Sequence, residues 1–143
     1  MGKIYRQAVV AIIINDENKV LFGYSPRDKS HKFPQGGLEE DETIIAGIQR
    51  ELQEELDYIL DTKFILEIFE EKIRYPFPPN SHPIFKGQEL SIVKIKHDPK
   101  VNTIPQDEEF DELLWIYPGE LKNYNSEYRA DAYLRALEIC GLI

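Results

Sequence analysis

The chain of 143 residues has one cysteine, Cys140. A lone thiol excludes an internal disulfide and a thiolate zinc site, and it fits a reducing, cytoplasmic address. Long apolar runs are absent: the longest, Ala8 to Ile14, falls far short of the roughly 20 residues that cross a bilayer. No segment has the basic start, apolar middle and small-residue cleavage site of a secretory leader. Bases are scarce, 17 Lys and Arg against 26 Asp and Glu, for a formal net charge of −9. Such a surface repels DNA and anionic membranes, so neither is an expected partner, and an anionic ligand needs local bases or bound cations. Repeats, low-complexity tracts and linkers are also missing, which predicts one domain over residues 1–143.

What is present is globular in kind: 42% hydrophobic, 11% aromatic and 30% charged residues, enough apolar material for one ordinary core. The charge is concentrated. Between Gly37 and Asp57 stand eight acids (Glu39, Glu40, Asp41, Glu42, Glu51, Glu54, Glu55 and Asp57) against the single base Arg50. Just before them, Arg27, Lys29, His31 and Lys32 form a short basic loop opposed only by Asp28.

Periodicity supplies a coarse scaffold. The β-branched run Ala8–Ile14, the turn-forming Asn15 to Asn18 and the apolar Val20–Tyr24 read as a hairpin with a buried first strand. Ser25–Gly37 reads as loop. Ile44, Ile45, Ile48, Leu52 and Leu56 recur at helical spacing and predict a helix over about Glu42–Leu56. A strand is expected from Phe64 through Arg74, then a stiff extended loop around Pro76, Pro78, Pro79 and Pro83. Glu89–Lys96 and Leu113–Tyr117 read as strands, and Glu127–Ile139 as a terminal helix. The fold class is α/β, a mixed sheet flanked by helices.

Glu51, Glu54 and Glu55 stand at i, i+3 and i+4 and so share one helical face, with Cβ atoms about 5–6 Å apart. Like charges at that spacing destabilise a helix, and no single base one turn away offsets all three. Hard divalent cations prefer carboxylate oxygens and would reverse the repulsion. The alternative is a solvated acidic face, but this run lacks the interspersed bases of one.

The segment Gly36-Gly37-Leu38-Glu39-Glu40-Asp41-Glu42-Thr43, followed after Ile44–Gln49 by Arg50-Glu51-Leu52-Gln53-Glu54-Glu55-Leu56-Asp57-Tyr58, resembles the Nudix box. Every carboxylate of that pattern is in register. Asp57 replaces the usual final glycine and Tyr58 an aliphatic residue; Asp tolerates the left-handed conformation that a glycine there would adopt. The resemblance implies an α/β/α sandwich that hydrolyses a nucleoside diphosphate linked to another group. It further implies that Glu51, Glu54 and Glu55 hold catalytic Mg²⁺, or Mn²⁺ in its place, with Gly36 beside them. Glu51 is also the candidate for activating or orienting water, and Arg50 for tying helix to loop by pairing with the acids of the box.

Beyond the box, Tyr5-Arg6, Phe33-Pro34-Gln35-Gly36-Gly37, Lys86-Gly87-Gln88 and Glu109-Phe110-Asp111 ahead of Trp115 are similar to the branch containing bacterial RNA 5′ pyrophosphohydrolases and diadenosine polyphosphate hydrolases. On that likeness Glu109 is a fourth metal carboxylate. Arg6 and Arg129 are phosphate contacts, Lys32 and Gln35 further substrate contacts, and Tyr128 a base-stacking residue. Tyr128 also reads as a helix-start residue packing on the sheet, and Glu109 as one loop acid among Asp107, Glu108, Asp111 and Glu112. His31 is expected near the phosphates or in solvent, and Trp115 in the core. The chain departs from the branch at Gln7-Ala8, where Pro and Asn are usual, at His31-Lys32, where a tryptophan is usual, and at Glu89-Leu90-Ser91, where a basic and aromatic stretch is usual. The implied substrates are a diadenosine polyphosphate or the 5′-triphosphate end of RNA; the alternatives are a mononucleoside triphosphate, or nucleotide binding without turnover.

Overall fold

A computed structural model describes residues 4–106 and 109–143; Asp107 and Glu108 of the acidic loop lie outside them. In chain order the strands are β1 (Tyr5–Ile14), β2 (Val20–Ser25), β3 (Ser30–Lys32) and β4 (Gln35–Gly37), then helix α1 (Ile44–Leu56). Strands β5 (Ile65–Pro76), β6 (Gly87–Lys96) and β7 (Glu112–Ile116) follow, and helix α2 (Ala130–Ile139) ends the fold.

The apolar run of β1 dictates its place. Val9, Ala11 and Ile13 pack into one core layer and Ala8, Val10 and Ile12 into the other, which only a strand inside the sheet can satisfy. β1 runs parallel to β6 in unbroken register from Tyr5–Gly87 to Ile14–Lys96. The sheet order is β3-β2-β1-β6-β5, with β4 added to β1 and β7 to β2. Ile48, Leu52 and Leu56 of α1 close one face; Ala132, Tyr133, Ala136 and Leu137 of α2 close the other. The result is the expected sandwich of a mixed sheet between helices.

Several local expectations change. The hairpin is reduced to one pair, Ile14–Val20, because β4 occupies the edge of β1 at Ala8 to Val10. The stretch read as loop between Ser25 and Gly37 holds two three-residue strands, too short to show alternation. Helix α1 starts at Ile44 rather than Glu42, since the Thr43 side chain caps it by accepting the Ala46 N–H at 3.1 Å. Ile45, counted with the apolar stripe, is 39% exposed. The terminal helix begins at Ala130, with Glu127–Arg129 forming a 3₁₀ turn.

The two departures at the end of the box have physical explanations. Asp57 adopts φ 52°, ψ 32° and donates its N–H to the Gln53 carbonyl at 3.0 Å, the left-handed helix stop expected of it. Tyr58 is fully buried, and its hydroxyl accepts the Asp98 N–H at 3.2 Å, so the polar tip is satisfied while the ring fills an aliphatic site. Replacing Asp57 with Gly is expected to raise unfolding free energy by up to about 1 kcal/mol, and replacing it with Val to lower it by more, as read by urea denaturation.

Candidate functional site

Two neighbouring glycines of β4 organise the site. A Cβ on Gly36 would lie 2.0 Å from the Glu51 carboxyl carbon, and one on Gly37 would lie 2.2 Å from the central guanidinium carbon of Arg6. One glycine therefore admits an acid from α1, and the next a base from β1, on opposite faces of the strand. Behind Glu51, the Glu55 carboxylate accepts the Gln35 backbone N–H at 2.9 Å and is 2% exposed. Gln35 is held in turn by its side chain, which donates to the Tyr75 hydroxyl at 2.6 Å and accepts from the Tyr133 hydroxyl.

Arg50 answers the like-charge problem posed by the sequence. Its guanidinium grips Glu42 with two hydrogen bonds of 2.8 Å, reaches Glu51 at 2.8 Å and Glu54 at 3.4 Å, and donates to the Gly37 carbonyl at 2.9 Å. Arg50 thus ties the helix to the loop and to β4, as expected, and counters more of the acidic face than the spacing suggested. These bonds, with that from the Glu39 N–H, hold the Glu42 carboxyl at about 2. Burial pushes Glu51 up despite Arg50, with Glu54 and Glu109 adding to the rise. Glu55 is raised well above the usual range by burial, against the opposing pull of Lys32 and with Glu51 and Glu109 again pushing upward.

Glu109 arrives from the loop before β7 and pairs with Arg27 at 2.8 Å. Glu51, Glu54, Glu109, Arg27 and Arg6 line one cavity of about 300 Å³. The carboxylates do not meet at a point: Arg50 and Arg27 take their oxygens, and among the described residues no group of three or more His, Cys, Asp or Glu is drawn together tightly enough to hold a metal ion.

The cavity continues, through Arg6, Arg27, Gln35, Gly36 and Gly37, into a pocket of about 500 Å³ that also takes in Lys32, Tyr128 and Arg129. Asp28 is its electrostatic hub, with the Lys32 ammonium at 2.8 Å, Arg27 at 3.4 Å and Arg129 at 3.8 Å. Burial would raise the Asp28 carboxyl, but these bases overcome it and hold the group at about 2. Tyr128 packs with its ring 5.5 Å from Tyr75, carries the Arg129 guanidinium at 4.5 Å, and also lines the pocket.

Of the eleven residues expected to form the site, ten line this connected space, and Glu55 lies behind them against the Gln35 backbone N–H. His31 lines neither cavity: its ring packs against Phe22, Tyr24 and Tyr124 and is half-buried. Trp115 is only partly buried, beside His97 at 4.8 Å. The sequence reading missed Arg27, Asp28, Phe77, His82 and Gln88 as lining groups. The basic loop signalled the first two. The proline loop gave no sign that it carries Phe77 and His82 into the pocket as a stacked pair 5.8 Å apart.

The NUDIX domain family model matches residues 4–137. RNA pyrophosphohydrolases of Acinetobacter baylyi and of Nitratiruptor sp. are 29% and 30% identical, covering 97% and 95% of this chain and 90% and 93% of their own. A MutT protein from Methanosarcina mazei has the same fold, with TM-score 0.73 over 98% of both chains at 17% identity.

Because Glu42 titrates below its ordinary range, its contribution to stability is complete above about pH 4.5 and is lost as pH falls towards 2. Glu51 and Glu55, raised by burial, act in the opposite sense and oppose folding increasingly as pH rises through and above 4.5. Urea midpoints of the parent chain and Arg50→Gln, measured from pH 2 to 7, are therefore expected to differ most above pH 4.5 and to converge near pH 2.

Proposed function

The chain belongs to the NUDIX domain family, and we propose that it is a divalent-cation-dependent pyrophosphohydrolase of nucleotides that uses Mg²⁺ or Mn²⁺. The observation that carries the reading is the continuity of the two cavities: a wall of carboxylates opens directly, past Arg6 and Arg27, into an aromatic pocket. A phosphate chain suits the first space and a nucleoside the second. The near-full-length likeness to RNA pyrophosphohydrolases supports the same class.

The chemistry of the donor set suits the cation, which would have to draw the carboxylates away from Arg50 and Arg27. All four candidates, Glu51, Glu54, Glu55 and Glu109, are hard oxygen donors, and Gly36 leaves a cradle that the Glu51 carboxylate enters and a methyl group would fill. When bound, the cation neutralises the phosphates, polarises the attacked phosphorus and acidifies a water. Arg6 and Arg27 supply positive charge opposite the carboxylates and hold the phosphate chain in place. Glu51, at the cavity wall, accepts the proton of the attacking water. The oxygen of that water bonds to phosphorus while the anhydride P–O bond breaks, and the displaced phosphate leaves with the electron pair. Lys32, Gln35, Tyr128 and Arg129 shape the nucleoside side.

The substrates that suit this division are a dinucleoside polyphosphate, the 5′-triphosphate end of RNA, or a mononucleoside triphosphate. The first two lead, because the likeness outside the box is to enzymes of those substrates. Diadenosine tetraphosphate, the four nucleoside triphosphates and 5′-triphosphorylated RNA, each assayed with Mg²⁺ and with Mn²⁺, separate the three. No turnover of any of them would leave a nucleotide-binding domain in place of an enzyme.

Glu54→Gln and Glu55→Gln are each expected to lower turnover by roughly two orders of magnitude or more with folding intact, as read by steady-state kinetics and far-UV circular dichroism. Glu55→Gln removes a charge that burial disfavours, so its thermal midpoint is expected to hold or rise while activity falls. Gly36→Ala forces the Glu51 carboxylate out of its cradle and is expected to weaken Mn²⁺ binding, measured by calorimetry on the free protein.

A further inference from the structure

Among the described residues, four side chains carry a buried polar atom without a hydrogen-bond partner, and two of them, Gln88 (Oε1) and Arg129 (Nε), line the nucleoside pocket. Gln88 is 7% exposed and pairs with Tyr75 across β6 and β5. Its Nε2 donates to the Tyr75 hydroxyl, which already accepts Gln35 Nε2, and its Oε1 meets nothing. Turning the carboxamide over would give the Tyr75 hydroxyl proton an acceptor and leave Nε2 in the same unpartnered place. In either orientation one half of the amide is anchored and the other is free. Buried polar groups in folded proteins are rarely left so unless water, an ion or a ligand completes them, and of the four only Gln88 and Arg129 line a pocket that a ligand could fill.

The surroundings say what kind of ligand. Phe77 and His82, stacked with their planes 27° apart, and the ring of Tyr128 line the same pocket and offer flat apolar faces. A planar heterocycle with polar groups along its edge meets both features, its faces on the rings and its edge on the amide. A sugar or a phosphate would use the amide but not the rings.

We propose that Gln88 reads the edge of the substrate nucleobase and is a specificity-determining residue of this pocket. The inference rests on the nucleotide pyrophosphohydrolase reading for the identity of the ligand, but binding is its test. Removing an amide that a correct base satisfies costs that base its advantage; a base that never paired with the amide loses little.

Calorimetric titration of AMP, GMP, CMP and UMP into the full chain, without divalent cation, tests this directly. The parent chain is expected to bind its preferred base about tenfold or more tighter than its weakest, and Gln88→Met to bring all four within about twofold. Equal binding of the four by the parent chain, no binding of any, an unchanged ranking in Gln88→Met, or a uniform loss for all four bases would each overturn the proposal. The last outcome would mark Gln88 as a support for Tyr75 only. If Gln88→Met does not fold, Gln88→Glu, which keeps the shape and exchanges the amide for an acid, must change the ranking, and an unchanged ranking overturns the proposal equally. Because turnover plays no part in the titrations, base-selective binding by a chain that hydrolyses nothing would refute the hydrolase reading alone.

Discussion

The meeting of Arg50 with Glu42, Glu51 and Glu54 is the interaction around which the rest is arranged. A helix that gathers three carboxylates on one face, one of them the buried Glu55, is unfavourable by itself. The guanidinium can serve several acids at once because it is planar and has five donors, a geometry that a lysine ammonium lacks. By also bonding the Gly37 carbonyl, it fixes the helix against β4, and so sets the distance between the acids of α1 and the bases arriving from β1 and the 25–32 loop. Gly36 and Gly37 make that approach sterically feasible, and the Thr43 cap releases Glu42 from the helix to meet Arg50.

A second network lies behind the first. Tyr133 of α2, Tyr75 of β5 and Gln35 of β4 form a hydrogen-bonded chain through the core layer, and the Gln35 backbone N–H passes its orientation on to Glu55. Buried polar chains of this sort are favourable only when their members are satisfied, and then they specify one arrangement of the elements they join. Both helices thus bear on the carboxylates: α1 carries them, and α2 fixes the strand that receives them.

How much of this could be read from residues alone followed from the range of the interactions involved. The apolar run of β1 and the helical spacing of Ile48, Leu52 and Leu56 are local patterns, and they located the ends of those elements at Ile14 and Leu56 while missing their starts by three and two residues. The i, i+3, i+4 glutamates placed the acidic face for the same reason. What escaped was set by partners distant in the chain: β4 displacing β2 from β1, Arg27 finding Glu109, and His31 turning into an aromatic cluster. The pocket role of Phe77 and His82 was hidden because prolines announce stiffness but not direction.

The doubly covered strand β1 also has an evolutionary side. Since neither of its faces looks outward between Ala8 and Ile13, a change of side chain there disturbs packing in both layers at once. The loops at residues 25–29 and 77–86 bear no such load, although they supply Arg27, Asp28, Phe77 and His82. Variation confined to them can retune what the pocket accepts while the scaffold stays put, so a combinatorial library seeking new ligand preferences has most room in these two rim segments.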